Sequence, residues 1–190
     1  MRQVDSGSRR KFIQGFAALI GGITANTLLN NKAIAAAMTY QPKLSGVVIA
    51  GSILNLAQMQ LLKQVSQLTI PRTDTVGGGD VDCHGFIDNQ LKYCYSPEQQ
   101  LRITELLDNI LYQAKARSGL DFIKQTTKQQ LTFLNDIEQA KNGFTQKDRS
   151  DIKFLKSFIC LGYYTSQVGA SQELNYDAFP GGFKGSIPFK

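Results

Sequence analysis

The 190 residues include one histidine, three cysteines and no tryptophan, and each shortage removes a class of chemistry. With His84 alone, a histidine-based catalytic triad or a multi-histidine metal centre has too little material, and a buried structural histidine with its hydrogen bonds met is expected. Cys83, Cys94 and Cys160 lack the paired short spacings of a zinc site, and no Cys-x-x-Cys-His is present for haem. Beyond residue 37 no apolar run approaches the roughly 20 residues of a membrane span, and no stretch alternates apolar and polar residues for long enough to read as a strand. Carboxylates suited to acid–base work do not stand out, since Asp148 and Asp151 fall at a helix start, where acidic groups favour the dipole. Gly77-Gly78-Gly79 invites a phosphate-binding reading. However, no strand precedes it and Asp82 occupies the place of the third glycine in the dinucleotide fingerprint, so it reads as a plain loop.

What is present begins with the first 37 residues. Arg9 and Arg10 stand side by side after Ser8 and are followed by Phe12 and Ile13; from Phe12 to Asn31 there is no charge. A basic start, a weakly apolar run broken by glycines, and small residues near Ala35 and Ala37 form the pattern of a twin-arginine export signal, with cleavage between Ala36 and Thr39. An uncleaved membrane anchor is the alternative, because Phe12 to Leu29 is close to spanning length. The expected organisation is therefore a signal over 1–37 and one domain over 38–190, delivered to the periplasm by the twin-arginine translocase. That route carries proteins already folded. The net charge of +6 is largely the signal's: the remainder has 16 basic and 14 acidic residues, no footprint for nucleic acid.

Along the domain, apolar residues recur at helical spacing. Leu54, Ala57, Leu61, Val65 and Leu68 predict a helix from Val47 to Pro71, and Phe86, Ile87, Leu91 and Cys94 a shorter one opening at Asp82 or Cys83. Ser96-Pro97-Glu98-Gln99 reads as a capping box before a helix that buries Leu101, Ile103, Leu106, Leu107, Ile110 and Leu111 and ends at Ser118-Gly119. Thr127 with Gln130 opens a fourth helix carrying Phe133, Leu131, Leu134 and Ile137 and closed by Asn142-Gly143. Ser150-Asp151 opens a fifth with Phe154, Leu155, Phe158, Ile159 and Leu161. The fold class is all-α: an irregular bundle of about five helices with a long, non-regular C-terminal tail. That tail, 162–190, holds six of the 18 aromatics, too many for a solvated segment, so it is expected to pack on its own bundle or on a partner.

Three cysteines in an oxidising compartment leave at least one free or bonded to another chain. A helix joining Cys83 to Cys94 would hold them roughly 16 Å apart, too far to bridge, whereas either could pair with Cys160 if the fold brings them together.

Thr73-Asp74-Thr75-Val76-Gly77 with Asp80, His84 and Phe86-Ile87-Asp88, together with Gly162-Tyr163-Tyr164-Thr165-Ser166-Gln167-Val168-Gly169 and Leu174-Asn175-Tyr176-Asp177 to Pro180-Gly181, resembles the gluconate 2-dehydrogenase subunit 3 family. The resemblance runs from about Ser45 to Phe189. It implies a non-catalytic small subunit with no cofactor of its own, bound to a larger FAD-containing subunit of the glucose-methanol-choline type. Such complexes act on sugars or polyols in the periplasm, are often joined by a cytochrome c subunit, and can be membrane-associated as a whole. The small subunit supplies the export signal and supports maturation of the large one. Candidate docking residues are Pro71, Arg72, Thr73 and Asp74 in the first motif and Gly162, Tyr163, Tyr164, Thr165, Ser166, Gly169, Tyr176, Pro180 and Gly181 in the second. Val76 and Gly78-Gly79 depart from the family's proline and bulkier residues, which is expected to loosen that loop. A membrane-anchored scaffold and a free-standing periplasmic ligand-binding protein or enzyme are the alternative functions.

Overall fold

The computed structural model describes residues 48–174. Within them the chain forms five α-helices: α1 Leu56–Thr69, α2 Cys83–Cys94, α3 Pro97–Ser118, α4 Thr127–Glu138 and α5 Gln146–Tyr164. A 3-10 turn at Phe122–Lys124 links α3 to α4, and a π-helical turn at Gly169–Glu173 follows α5. No strand occurs among the described residues, so the all-α irregular bundle expected from the periodicity is what forms. The twin-arginine residues Ser8, Arg9, Arg10, Phe12 and Ile13, the cleavage region, and Tyr176, Pro180 and Gly181 lie outside the described residues.

Helix starts are written locally. Asn55 with Gln58, Ser96 with Gln99, Thr126 with Gln129 and Thr145 with Asp148 each form a reciprocal capping box, worth about 1 kcal/mol apiece over alanine at the cap. Two of these differ from the sequence expectation. Thr126-Thr127 followed by Gln129-Gln130 offers two equivalent registers, and the first prevails because the Gln130 amide turns inward to donate to the Phe122 carbonyl at 2.8 Å. Helix α5 starts four residues before Ser150, because the Asp148 carboxylate can accept from the Thr145 N–H at 2.8 Å. Helix α4 ends at Glu138, short of Asn142-Gly143. Ala140, Asn142 and Gly143 all take positive φ, so the helix has already unwound there.

Helix α1 begins at Leu56 rather than near Val47. The reason is Asp88 on α2, whose carboxylate accepts backbone N–H groups from Ser52 at 2.6 Å and from Ile53 and Leu54 at 2.9 Å each. Donors held in this way cannot enter a helix ladder.

Helix α5 is the central element and packs against each of the other four helices. Its Ile152, Leu155, Phe158 and Ile159 meet Leu61, Leu62 and Val65 of α1, Ile87 and Leu91 of α2, Leu106, Leu107 and Ile110 of α3, and Phe133, Leu134 and Ile137 of α4 in one core. Five residues assigned to the buried faces on spacing alone are exposed: Leu101, Leu131, Phe154, Leu161 and Cys94. Ala57 is exposed as well. Each lies at the margin of its apolar stripe, where the spacing rule does not say how far the neighbouring helix reaches.

Candidate functional site

The two motif blocks are distant in sequence and meet at one end of the bundle. After α1, the segment 70–82 folds back over that helix's last turn: Gly78 N–H donates to the Ile70 carbonyl at 2.9 Å and Gly79 N–H to the Gln67 side chain at 3.0 Å. A Cβ on Gly78 would stand 2.6 Å from the Ser66 carbonyl oxygen, so only glycine allows this approach. The loop is thus tightly seated, and the looseness expected from Gly78-Gly79 is not found. Arg72 and Asp80 close it with an ion pair at 2.9 Å, and that contact with Arg72 holds the Asp80 carboxyl below its usual range.

Tyr163 locks the loop to α5. Its ring is buried with Val81 and Cys83, and its hydroxyl donates to the Val76 carbonyl at 2.9 Å, across 87 residues of sequence. Burial pushes the phenol's pKa up. From the other side the Thr75 hydroxyl donates to Glu173 in the π-helical turn. Immediately before Tyr163, a Cβ on Gly162 would lie 2.8 Å from the Phe86 ring, so the glycine lets α2 and α5 come together and Phe86 meet Phe158 edge-on at 5.9 Å.

The chemically versatile residues of the first block are held in this packing. Asp82 takes a left-handed conformation, φ 57°, and caps α2 by accepting the Gly85 N–H. His84 is 7% exposed; its Nε2 lies 3.4 Å from Asp82 while its Nδ1 has no hydrogen-bond partner. The histidine is therefore buried, as expected, but only one of its nitrogens faces a partner, so the full set of hydrogen bonds expected for it is not found. Burial lowers its pKa, Asp82 opposes this and Lys63 adds to it. Cys83 is fully buried against the Ile159 carbonyl, and burial pushes its thiol up to about 12. Cys83, Cys94 and Cys160 are all free thiols, buried, exposed and half-buried respectively.

The candidate docking residues fall into two groups. Pro71, Arg72, Thr73, Asp74, Tyr164 and Thr165 are exposed and Ser166 is half-buried. Gly162, Tyr163 and Gly169 are buried in the junction and present no surface of their own. Two residues that spacing could not single out matter as much. Asp88 stood in the quoted motif, but its partners are backbone groups. Glu173 has no motif signal at all. Among the described residues no group of three or more His, Cys, Asp or Glu is placed to hold a metal ion, and no helix is long and apolar enough to cross a membrane.

A loop seated under glycine, a tyrosine bolt and a helix-capping aspartate define a small all-α domain whose polar motif residues serve its architecture. The chain belongs to the gluconate 2-dehydrogenase subunit 3 family, whose sequence pattern matches residues 57–181. That span covers α1 to α5, the junction and the start of the tail. No curated protein and no solved structure matches the chain.

Proposed function

We propose that this protein is the non-catalytic small subunit of a periplasmic FAD-dependent sugar or polyol dehydrogenase. It binds a larger catalytic subunit of the glucose-methanol-choline type, supplies the twin-arginine signal for both, and stabilises the catalytic subunit while its flavin is inserted. The observation that carries this reading is family membership over 57–181. Support also comes from the use of polar residues in and beside the motifs: Tyr163, Asp88, Cys83 and Asp82 each make an internal contact instead of presenting a reactive group to solvent.

The physical logic follows from the export route. A folded cargo needs a carrier that is itself folded before transport. The capping boxes and the Tyr163 bolt give a rigid body on which a partner can dock at little ordering cost. The flavin sits in the partner in this reading and performs the oxidation there; this chain's residues bind and hold. A cytochrome c subunit would receive the electrons.

The test is export of the pair. With Arg9→Lys and Arg10→Lys together, both this chain and the co-expressed catalytic subunit should remain in the cytoplasm. Normal periplasmic delivery of the catalytic subunit in that variant would refute the escort role.

A further inference from the structure

Between α4 and α5 the chain turns through Asn142-Gly143, the only Asn-Gly step in the sequence. Both residues are exposed and both take positive φ, 53° and 86°, a conformation that asparagine and glycine tolerate best. Arg117, near the end of α3, lies over the rings of Phe133 and Phe144 at 4.8 Å each and donates to the backbone carbonyl of Asn142. It also donates to Asp136 at 3.1 Å, and the side-chain NH2 of Asn142 donates to the same Asp136 oxygen at 2.9 Å. The Gly143 N–H has no acceptor among the described residues.

These contacts bear on one reaction. A backbone nitrogen that has lost its proton can attack the side-chain amide of the preceding asparagine, and a glycine at the attacking position puts no Cβ in the way. The charge of that nitrogen is shared with the peptide carbonyl oxygen, here the one on which the Arg117 guanidinium already stands. A fixed cationic donor placed where negative charge develops stabilises it. Asp136 works against the step, because its charge repels the forming anion, and it sets a slow rate. The other asparagines of the described residues lack this arrangement. Asn89, Asn109 and Asn135 lie within helices, where the following N–H is bound to a carbonyl, and Asn55 is followed by the branched Leu56.

We propose that Asn142 is a site of spontaneous deamidation and that Arg117 promotes it. The Gly143 nitrogen bonds to Asn142 Cγ as the Cγ–Nδ2 bond breaks, and ammonia departs with the proton that Gly143 gave up. Water then opens the cyclic imide at either carbonyl, leaving aspartate or isoaspartate at position 142. The net change is water in and ammonia out, with no oxidant or reductant. Aspartate sets a carboxylate against Asp136 where an NH2 had donated. Isoaspartate reroutes the main chain through the side-chain methylene, two residues before the buried Phe144, whose N–H donates to the Lys141 carbonyl at 3.1 Å. Either product loosens the hold of Arg117 on the turn between α4 and α5. The chemistry needs no second protein, so it stands independently of the accessory-subunit reading.

Peptide mass spectrometry of the full-length chain, incubated in mildly alkaline buffer and cut with Glu-C in heavy-oxygen water to mark conversion during digestion, tests it. The peptide from Gln139 to Glu173 holds no other asparagine, and electron-transfer fragmentation separates aspartate from isoaspartate. Conversion at Asn142 should exceed that at Asn55, Asn89 and Asn109 at least tenfold, with isoaspartate among the products. Arg117→Met should slow it severalfold even though it frees the turn, Arg117→Lys should retain most of the rate, and Asp136→Asn should raise it. Asn142→Gly, which suits the positive φ, should abolish the change. Conversion in the parent no faster than at the helical asparagines overturns the site. Faster conversion in Arg117→Met, the result that a merely flexible turn would give, overturns the role of Arg117. An unchanged or lower rate in Asp136→Asn overturns the electrostatic account, and needs no change at Arg117 to be read.

Discussion

Asp88→Asn is the most informative single perturbation, because it exchanges one carboxylate oxygen for an NH2 group and disrupts one identifiable set of interactions. The carboxylate is 5% exposed and collects three backbone donors from the segment leading into α1. Oδ1 accepts from Ile53 and Leu54, Oδ2 from Ser52. An asparagine can keep its oxygen towards Ile53 and Leu54, but its NH2 then faces the Ser52 N–H, donor against donor. Hydrogen bonds to a charged acceptor contribute about 1.5–3 kcal/mol and neutral ones about 1 kcal/mol. Losing the Ser52 bond and weakening the other two therefore costs about 2–4 kcal/mol after partial access of water to Ser52. For a domain of this size about 1 kcal/mol shifts Tm by roughly 3–5 °C, so a fall of roughly 6–20 °C is expected in a circular-dichroism melt. Amide exchange at Ser52, Ile53 and Leu54 should accelerate well before that of the core residues of α5. A change below about 0.5 kcal/mol, with those amides still protected, would refute the idea that Asp88 is what holds this segment out of α1.

Three further outcomes follow from the same geometry. Gly162→Val should destabilise by about 1–3 kcal/mol through overpacking, read by thermal melting, since its Cβ would meet the Phe86 ring at 2.8 Å. His84 has a depressed pKa in the folded protein because it is buried, with Lys63 adding to the effect against Asp82. The unfolded chain therefore takes up a proton near pH 6.5 that the folded chain resists, so stability should fall as pH drops through about 6.5 and level off below the folded value. Relative to the parent, His84→Gln should flatten that slope in urea titrations at pH 5 to 8. In the native protein a thiol reagent should label Cys94 rapidly and Cys83 only on unfolding, because Cys83 is fully buried and its thiol is raised to about 12; mass mapping of the labelled peptides reads this directly.

The helices were legible because each start depends on residues three apart: Ser96 and Gln99 mark α3 without reference to anything else in the chain. Where two readings were locally equal, tertiary contacts decided. Thr126 prevailed over Thr127 because Gln130 had an inward partner in the Phe122 carbonyl, and nothing within the helix's own sequence announces that. Leu101, Leu131 and Leu161 show the converse, being apolar and correctly spaced yet exposed, since the breadth of a buried stripe depends on where neighbouring helices lie. The junction was legible as two motif blocks but not as a mechanism. Tyr163 and Val76 are 87 residues apart, and the bond is to a backbone carbonyl, which carries no side-chain signature. Asp88 escaped for the same reason: its three partners are backbone N–H groups.

In the proposed function this chain contributes binding, and the redox chemistry belongs to its partner. The most direct test is the visible absorption spectrum and dye-reduction activity of two preparations of the same full chain, one expressed alone and one with the catalytic subunit. Flavin absorption and sugar- or polyol-dependent dye reduction confined to the preparation containing both subunits is the predicted result. Stoichiometric flavin, or turnover, in the chain expressed alone would contradict it.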